Sequence, residues 1–332
     1  MKLIIQIPCL NEAGTLALTL SELPRSVPGF DTVEWLIIDD GSTDDTVHVA
    51  QEGGVDHIVR HTRNRGLARA FMTGLEACLR LGADVIVNTD ADNQYCADDI
   101  PRLTDPVLAG RADIVVGARP ISGITHFSPI KKLLQKVGSG VVRIISRTEI
   151  ADATSGFRAM SRAAAQQLMV FNEHTYTLET LIQAGQKNML VLSVPIRVNE
   201  YLRPSRLIKS IASYVRRSIV TIVRIFVIYR PMRFFGAIAA VVIAAGLLIG
   251  FRFIYFYLVG DGSGHVQSLI LAAVLLTVGF QTLLVAFLAD LIAANRRLLE
   301  DIRYHQRSDT GSTDRRSGRQ VMQSEPLNLP SS

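Results

Sequence analysis

The sequence predicts an α/β domain built on a mostly parallel sheet, followed by a helical membrane hairpin. Within residues 1–118, short apolar runs alternate with longer stretches of helical spacing, as expected for repeated strand–helix units. Two later segments are apolar over a length that can cross a bilayer. Since 48% of the residues are hydrophobic and only 20% are charged, extended disorder is excluded.

Five strands and four helices are predicted to alternate in the N-terminal part. The strand candidates are short runs rich in branched apolar residues, namely Leu3–Ile7, Val33–Asp39, His57–Arg60, Asp84–Thr89 and Asp113–Gly117. The helices predicted between them cover about Glu12–Leu23, Asp44–Gln51, Gly66–Leu81 and Asp98–Leu108. Ligands of such sheets bind at the carboxyl ends of the strands, so the residues that follow each strand are the candidates for chemistry.

Phe234–Phe251 and Val266–Ala289 are predicted to be transmembrane helices. The loop between them, residues 260–265, contains no Lys or Arg, whereas both flanks carry several. The positive-inside rule therefore predicts an integral protein of the cytoplasmic (inner) membrane, with its N-terminal domain and C-terminus in the cytoplasm. A buried soluble hairpin is the less favoured alternative, because so small a protein can hardly cover two such stretches.

Residues 203–233 form a basic belt between the domain and the hairpin, with eight Lys or Arg residues and no acidic residue. Within the belt, residues 207–229 alternate apolar and basic residues at helical spacing. This pattern predicts an amphipathic helix on the anionic inner leaflet, and a helix packed on the globular domain is the alternative. Because the excess positive charge is confined to the belt, the sequence indicates no nucleic-acid-binding face.

The sequence therefore divides into four parts: a folded domain over residues 1–202, the basic belt over 203–233, the hairpin over 234–294, and a C-terminal part over 295–332. The last part is predicted to be a helix end followed by a disordered tail from Ser308, which is rich in Ser, Arg, Gln and Pro. The three cysteines show no paired spacing and are interpreted as reduced thiols of a cytosolic domain.

Acidic residues follow two of the predicted strands. Asp39 and Asp40 end the second strand and can accept hydrogen bonds from a base or a ribose. Asp90, Asp92 and Gln94 follow the fourth strand, and such oxygen ligands suit Mg²⁺ or Mn²⁺, which would neutralise a diphosphate leaving group. Four further acids are interpreted only as helix caps and first-turn residues, namely Asp44, Asp45, Asp98 and Asp99.

The segments IPCLNEAGTL, IIDDGSTDDT, NRGLARA and TDADNQY, in this order, resemble the family 2 glycosyltransferases, which have the GT-A fold. With VGARP, DATSGFRAMSR and two spans, residues 1–305 are similar to the polyprenyl-phosphate branch of that family. The resemblance implies a membrane-anchored inverting enzyme of cell envelope glycan biosynthesis that uses Mg²⁺ or Mn²⁺. It would move a single hexose from a UDP-glucose or GDP-mannose type donor to polyprenyl phosphate on the cytoplasmic face.

The resemblance also implies roles for individual residues. The nucleotide-sugar donor would be held by Pro8, Glu12, Ile38, Asp40, Asp90, Ala91, Asp92, Gln94 and Arg119, with the metal on Asp90, Asp92 and Gln94. Asp152 would lie beside the sugar together with Ser155–Arg158, so the predicted catalytic residues are Asp92, Asp152 and Arg119. A loop cap is the alternative for Asp152. The lipid phosphate would meet Lys131, Lys132, Arg203 and Arg206.

Two other functions are compatible with parts of the sequence. A processive glycan synthase shares the N-terminal motifs but needs a Q-x-x-R-W segment, and the single tryptophan, Trp35, lies in a strand. A non-catalytic membrane adapter is disfavoured by the intact Asp90–Asp92 pair. His61 and His174 are interpreted as structural, and Glu179 either reaches the site or faces solvent. Self-association through the spans is left open.

Overall fold

The structure is a computed structural model, and it describes residues 1–120, 140, 150–170, 176–199, 220, 223–224, 227–260 and 265–316. Within these residues the strands are β1 (Lys2–Cys9), β2 (Thr32–Asp39), β3 (His57–Arg60), β4 (Val85–Asn88), β5 (Ile114–Ala118), β6 (Arg158–Ser161) and β7 (Val191–Pro195). The helices are α1 (Ala13–Glu22), α2 (Thr46–Glu52), α3 (Leu67–Arg80), α4 (Ile100–Leu108), α5 (Arg162–Gln167), α6 (Thr177–Gln186), α7 (Pro231–Leu258) and α8 (Val266–Arg316).

The seven strands form one sheet in the order β3-β2-β1-β4-β6-β5-β7. β1 pairs in parallel with β2 and β4, β2 pairs in parallel with β3, and β5 pairs in parallel with β7. Only β6 runs antiparallel, between β4 and β5. The predicted mostly parallel sheet and its five strands are confirmed, and β6 and β7 are additional strands.

Alternate residues of the central strands face opposite sides of the sheet, as the two-residue period of a strand requires. Ile4 and Ile38 belong to the core that packs against α3, α5 and α6. Leu3, Ile5 and Ile37 belong to the core on the other side, against α1, α2 and α4. In the described part of the chain the sheet is therefore covered by helices on both faces, so a ligand is expected at the ends of the strands.

The register of β6 brings a distant segment to the carboxyl edge of the sheet. Arg158 is paired with Asn88 of β4 and with Val116 of β5. Because β6 runs in the opposite direction, the residues that precede Arg158 lie beside the residues that follow Asn88. The loop before β6 is thereby placed next to the acidic segment after β4.

The two C-terminal helices are both long and apolar enough to cross a membrane, as predicted. They pack along each other where glycine allows close approach, with Gly246 against Leu276 and Gly279 against Ile243. Their outer surfaces expose large apolar side chains such as Leu248. Exposed apolar helices of this length fit a bilayer rather than water.

The last helix extends beyond the apolar segment. α8 continues past Ser308 to Arg316, in line with the predicted helix end, and the predicted disorder of the tail stays a prediction. Residues 317–332 and most of the belt predicted over 203–233 lie outside the described residues.

Candidate active site

The loops after β1 and β2 are hydrogen-bonded to each other at the carboxyl edge of the sheet. Asn11 adopts a left-handed conformation with φ of 54°, which asparagine tolerates better than most residues. Its N–H donates to Ser42 Oγ at 2.9 Å, and its side-chain oxygen accepts from the Thr43 N–H at 2.8 Å. The Glu12 N–H donates to Thr46 Oγ1 at 2.8 Å. These bonds fix the start of α1 against the start of α2.

Asp40 is buried at the end of β2 and organises the loop that leads into α3. Its carboxylate accepts from the backbone N–H groups of Arg65 and Gly66, both at 2.8 Å. His61 Nδ1 lies 2.7 Å from Asp40 Oδ1, and the other ring nitrogen lies 3.0 Å from Thr73 Oγ1. The structural interpretation of His61 is therefore confirmed. The carboxylate of Asp40 already has several partners within the chain. Its predicted contact with the nucleotide-sugar donor stays a prediction.

Asp39, the neighbour of Asp40, is fully buried and has fewer partners. Its Oδ1 accepts from the Ser42 N–H at 2.9 Å. Its Oδ2 lies 3.0 Å from Arg60 Nε, which is close enough for an ion pair. The N–H of Arg60 does not point at this oxygen well enough to form a hydrogen bond. Arg60 is 62% exposed, so water screens this attraction.

Asp90 and Asp92 follow β4, and their environment differs from that of Asp40. Burial and the negative charge of Asp92 raise the pKa of Asp90 to about 7, while the positive charge of Arg119 and a hydrogen bond from Tyr95 oppose the rise. Asp92 Oδ1 accepts from the Gln94 N–H at 3.2 Å, which closes a tight turn. The chain therefore holds two carboxylates close together at a cost in electrostatic repulsion.

A divalent cation fits this pair. Within the part of the chain that the structure describes, no three His, Cys, Asp or Glu side chains converge, so the protein itself offers two carboxylates rather than a closed cage. Mg²⁺ typically binds one or two carboxylates, and substrate phosphate and water complete its coordination. The chemistry of Asp90 and Asp92, with the amide of Gln94 in the same turn, suits Mg²⁺ or Mn²⁺.

Gly156 packs directly on the acidic segment. A Cβ placed at this residue would lie 3.1 Å from both carboxylate oxygens of Asp90 and 2.9 Å from the hydroxyl of Tyr176. The Gly156 N–H donates to the hydroxyl of Tyr95 at 3.0 Å, and its carbonyl accepts from Asn88 Nδ2 at 2.9 Å. The loop before β6 is thereby fastened against Asp90, and only glycine leaves room for this approach.

Arg119, at the end of β5, is held in place by Asp152. Its Nε donates to Asp152 Oδ2 at 2.7 Å, and its Nη2 donates to Asp152 Oδ1 at 3.2 Å and to Thr154 Oγ1 at 2.8 Å. Burial opposes the charge on Asp152, but the hydrogen bonds from Arg119 and Thr154 lower the pKa of this carboxyl overall. Because Arg119 also acts electrostatically on Asp90, the guanidinium lies between two acidic groups.

The predicted donor residues differ in what they can offer to a ligand. The side chain of Ile38 is fully buried against Gly74 of α3, so only its backbone remains for the predicted contact. The carbonyl of Ala91 accepts from Thr19 Oγ1 at 3.0 Å. Pro8 is buried in β1, next to Ile38 in register. Glu12 lies near enough to influence the pKa of Asp90 and is the candidate at the open edge.

Arg158 is buried and held by groups of its own chain, and its predicted place beside the sugar stays a prediction. Its buried guanidinium donates to the carbonyl oxygens of Ser155, Thr177 and Ala153 and to Thr180 Oγ1, at 2.7–3.0 Å. A buried arginine is retained only with such partners, so Arg158 joins the loop before β6 to α6. Several predicted residues lie outside the described residues, namely Lys131, Lys132, His174, Arg203 and Arg206.

Three residues at the site escaped the sequence analysis: Asn88, Tyr95 and Tyr176. Asn88 donates to the carbonyl of Gly156 and to the Tyr176 hydroxyl, and Gln6 donates to Asn88 Oδ1 at 2.9 Å. The available signal was a polar side chain, Asn88, at the end of an apolar strand. Tyr95 was part of a quoted motif, but its contact with Gly156 depends on the long-range pairing of β6.

The comparisons with known proteins give one family. The family model described as Glycosyl transferase family 2 matches residues 4–169. The chain is 29% identical over 207 residues to an undecaprenyl-phosphate mannosyltransferase of Micrococcus luteus, covering 59% of this chain and 83% of the relative. It is 26% identical over 271 residues to a dolichol-phosphate mannosyltransferase of Pyrococcus furiosus, covering 77% of this chain and 72% of the relative.

Among solved structures, the chain is similar to glucosyl-3-phosphoglycerate synthase from Mycobacterium tuberculosis, crystallised with Mn²⁺, uridine diphosphate and phosphoglyceric acid. The TM-score is 0.52 at 19% sequence identity, and the match covers 67% of this chain and 78% of the other. At this identity the similarity shows a shared GT-A-like fold.

Proposed function

Because the chain belongs to glycosyl transferase family 2, we propose that it moves one hexose from a nucleotide-diphosphate sugar to polyprenyl phosphate. The observation that carries the proposal is the cluster of Asp90, Asp92 and Arg119 at the carboxyl edge of the sheet, in a chain with two long apolar helices. The relatives named as undecaprenyl-phosphate and dolichol-phosphate mannosyltransferases support the lipid acceptor. A UDP-glucose or GDP-mannose type donor remains our expectation.

The proposed cofactor is Mg²⁺ or Mn²⁺, held by Asp90, Asp92 and Gln94. When bound, it supplies positive charge to the diphosphate leaving group. The Mn²⁺ and uridine diphosphate in the similar solved structure support this assignment through the shared fold. Gly156 packs closely on the Asp90 carboxylate and restricts where its two oxygens can lie. A Cβ at this residue would come within 3.1 Å of both oxygens.

The proposed reaction is a single in-line displacement. An oxygen of the lipid phosphate forms a bond to C1 of the hexose while the bond from C1 to the nucleoside diphosphate breaks, and the electron pair leaves with that diphosphate. One displacement inverts the configuration at C1. The attacking oxygen is already anionic, so no side chain has to remove a proton. Catalysis then rests on positioning and electrostatic stabilisation.

In this mechanism Arg119 provides the positive charge that the described site offers to phosphate, and Asp152 positions it. Both oxygens of Asp152 already accept hydrogen bonds from Arg119 or Thr154, which leaves the carboxylate poorly placed to act as a base. A guanidinium held by two parallel bonds presents its remaining N–H groups in a fixed direction, which suits phosphate recognition.

The proposed topology places the α/β domain at the cytoplasmic face of the membrane. Arg230 and Arg233 precede or begin α7, and Arg296 and Arg297 stand where the apolar part of α8 ends, whereas residues 259–265 contain no Lys or Arg. This distribution favours a hairpin with both ends in the cytoplasm. Polyprenyl phosphate would then present its head group at the same surface.

The two alternative functions are less well supported. A processive synthase would need an aromatic residue to hold a polymer. Trp35 instead donates to the carbonyl of Pro24 at 3.2 Å, and the Arg25 guanidinium lies 3.3 Å from the centre of its ring. Two carboxylates that repel each other at one strand end cost stability, and a non-catalytic adapter gains nothing that offsets this cost. The geometry of Asp90 and Asp92 therefore favours the transferase.

The proposal is tested with membranes that contain the protein, a panel of radiolabelled nucleotide sugars and polyprenyl phosphate. We expect one donor to give a labelled product that extracts into organic solvent and is labile to acid. A labelled product retained in the aqueous or insoluble fraction would favour a polymer synthase. Absence of label from every fraction, with intact protein in the membrane, would favour the adapter.

A further inference from the structure

Glu179 lies on α6, and it neither faces solvent nor reaches the site. Its side chain is 8% exposed. The carboxylate oxygen Oε1 accepts from the Tyr229 hydroxyl at 2.7 Å and from Arg296 Nη2 at 2.8 Å. Arg296 also donates to the Tyr229 oxygen at 2.8 Å. Three residues from distant parts of the chain therefore share one buried network.

The three residues belong to different structural units. Glu179 belongs to the α/β domain, Tyr229 precedes the first span, and Arg296 lies at the end of the second span. The Tyr229 ring packs against the core on the α3, α5 and α6 side, and the Arg296 guanidinium lies 4.6 Å from its centre. We call the Glu179–Tyr229–Arg296 network the membrane joint.

The helix that carries Glu179 also contacts the site. Tyr176 caps the start of α6, and its hydroxyl accepts from Asn88 Nδ2 at 2.9 Å and approaches the carbonyl of Gly156 at 3.4 Å. Its ring stacks on Phe71 of α3 at 3.9 Å between ring centres. α6 therefore lies between the residues that pack on Asp90 and the membrane joint.

We propose that the membrane joint positions the active site over the bilayer, so that Glu179 and Arg296 are positioning residues for the lipid acceptor. This inference rests on the proposed function and names a determinant for its acceptor. A phosphate on a membrane lipid is held at a fixed depth, so the domain has to be aligned with it. An acceptor dissolved in water can approach in any orientation and needs no such alignment.

The burial of the joint explains why one partner cannot be removed without effect. Arg296 is only 20% exposed and Glu179 is 8% exposed, so the two charges are largely shielded from water. Removing one charge leaves the other without its partner at the contact between domain and hairpin. We expect that contact to loosen, while the hydrogen bonds around Asp90 and Gly156 remain.

The test uses the full chain in nanodiscs of phosphatidylethanolamine and phosphatidylglycerol, with two acceptors. One acceptor is a long polyprenyl phosphate in the bilayer, and the other is a short isoprenyl phosphate that dissolves in water. Arg296→Gln and Glu179→Gln should lower kcat/KM for the bilayer acceptor by roughly ten- to a hundredfold, the range expected for small misalignments. Transfer to the soluble acceptor and nucleotide binding should stay within about twofold of the wild type.

Further variants separate the joint from general damage. The double variant Glu179→Gln/Arg296→Gln should lose no more activity than either single variant, because both changes break the same interaction. Tyr229→Phe removes only the hydroxyl and should give a smaller loss in the same direction. Arg233→Gln is the matched control, since it removes the same charge from an exposed side chain at the start of α7 and should leave both transfers unchanged.

Equal losses with both acceptors, or no loss with either, would overturn the positioning role. If the wild type transfers sugar to neither acceptor, the proposed function fails. In that case the rate of backbone amide hydrogen exchange in α6 tests the membrane joint independently of activity. Faster exchange of residues 177–186 in Arg296→Gln supports the joint, and unchanged exchange overturns it.

Discussion

Two pairs of aspartates follow two strands of the same sheet, Asp39–Asp40 after β2 and Asp90–Asp92 after β4. The carboxylates of the first pair accept hydrogen bonds from the backbone. Asp40 accepts from two N–H groups, and Asp39 accepts from one. In the second pair, burial and then the negative charge of Asp92 raise the pKa of Asp90 to about 7. In sequence the two pairs look alike, since each is an acidic cluster at a strand end.

The comparison distinguishes a carboxylate that holds its own chain together from two carboxylates that are proposed to bind a ligand. Asp40 is surrounded by groups from its own chain, and its charge holds the loop into α3 in place. The fold brings the Asp90 and Asp92 charges together at the end of β4, where burial and the charge of Asp92 raise the pKa of Asp90. The proposed cation would complete the second pair, whereas Asp40 of the first pair already accepts hydrogen bonds from two backbone N–H groups of its own chain. Substitutions that remove one charge at a time can sharpen or break this contrast.

The largest expected effect is on Asp90 and Asp92, the proposed metal-binding pair. Asp92→Asn should lower kcat/KM for sugar transfer by about 10²–10³-fold, the usual result of removing one preorganised electrostatic contact from an active site. The folded protein should survive, because the substitution relieves repulsion with Asp90. Transfer of labelled sugar to polyprenyl phosphate measures the first effect, and the thermal unfolding midpoint measures the second.

Asp105→Asn is the control for this substitution, because Asp105 is exposed on α4 and loses the same charge. It should leave transfer and unfolding unchanged. Removal of divalent cations with a chelator should reproduce the loss in the wild type, and added Mg²⁺ or Mn²⁺ should restore it. Full turnover of Asp92→Asn would contradict the metal assignment.

The second effect concerns stability. Asp40→Asn replaces one acceptor oxygen by an NH₂ group that faces backbone N–H groups or His61. Leaving a buried donor without its acceptor costs about 1–3 kcal/mol of unfolding free energy. Unfolding of the purified protein measures this loss, and Asp45→Asn, an exposed neighbour without a side-chain capping bond, is the control. A loss of transfer without a loss of stability would make Asp40 a ligand-binding residue like Asp92.

The third effect tests how tightly the second pair is confined. Gly156→Ala places a methyl group about 3 Å from both oxygens of Asp90, so the carboxylate or the loop has to shift. Transfer should fall by about tenfold or more, since small misplacements of catalytic groups are costly. Gly14→Ala is the matched control, because nothing lies within 4 Å of a Cβ there. Equal kinetics of the two variants would show that Asp90 is not held by this contact.

The strands whose apolar residues extend over several positions could be predicted from the sequence, and so could the acidic residues that follow them. It was insufficient for β6, because RAMS carries little apolar signal and becomes a strand only through pairing with β4 and β5. Asp99 shows the same limit. It was interpreted as a helix cap or first-turn acid, and it does occupy the N-cap position of α4. No local pattern predicted that its buried carboxylate also accepts from Arg197 Nη2 at 3.0 Å.

The candidate site follows the same division. Asp90 and Asp92 could be predicted because parallel strands end at one edge of a sheet. The pairing of Arg119 with Asp152 could not, because Asp152 reaches Arg119 only through the long-range position of the loop before β6. Glu179 is a further example: its partners come from the two ends of a membrane hairpin, and no local pattern connects them.

The smallest effect is expected where the first pair meets solvent. Arg60 lies 3.0 Å from the buried Oδ2 of Asp39, yet its side chain is 62% exposed. Arg60→Gln should therefore cost only about 0.2–1 kcal/mol of unfolding free energy, as for other screened ion pairs. Unfolding at low and high salt measures this, because the difference from the wild type should shrink as salt screens the pair. Arg111→Gln, another exposed arginine, is the control. A salt-independent loss of several kcal/mol would mean that Asp39 depends on a single cation, and the first pair would then resemble the second.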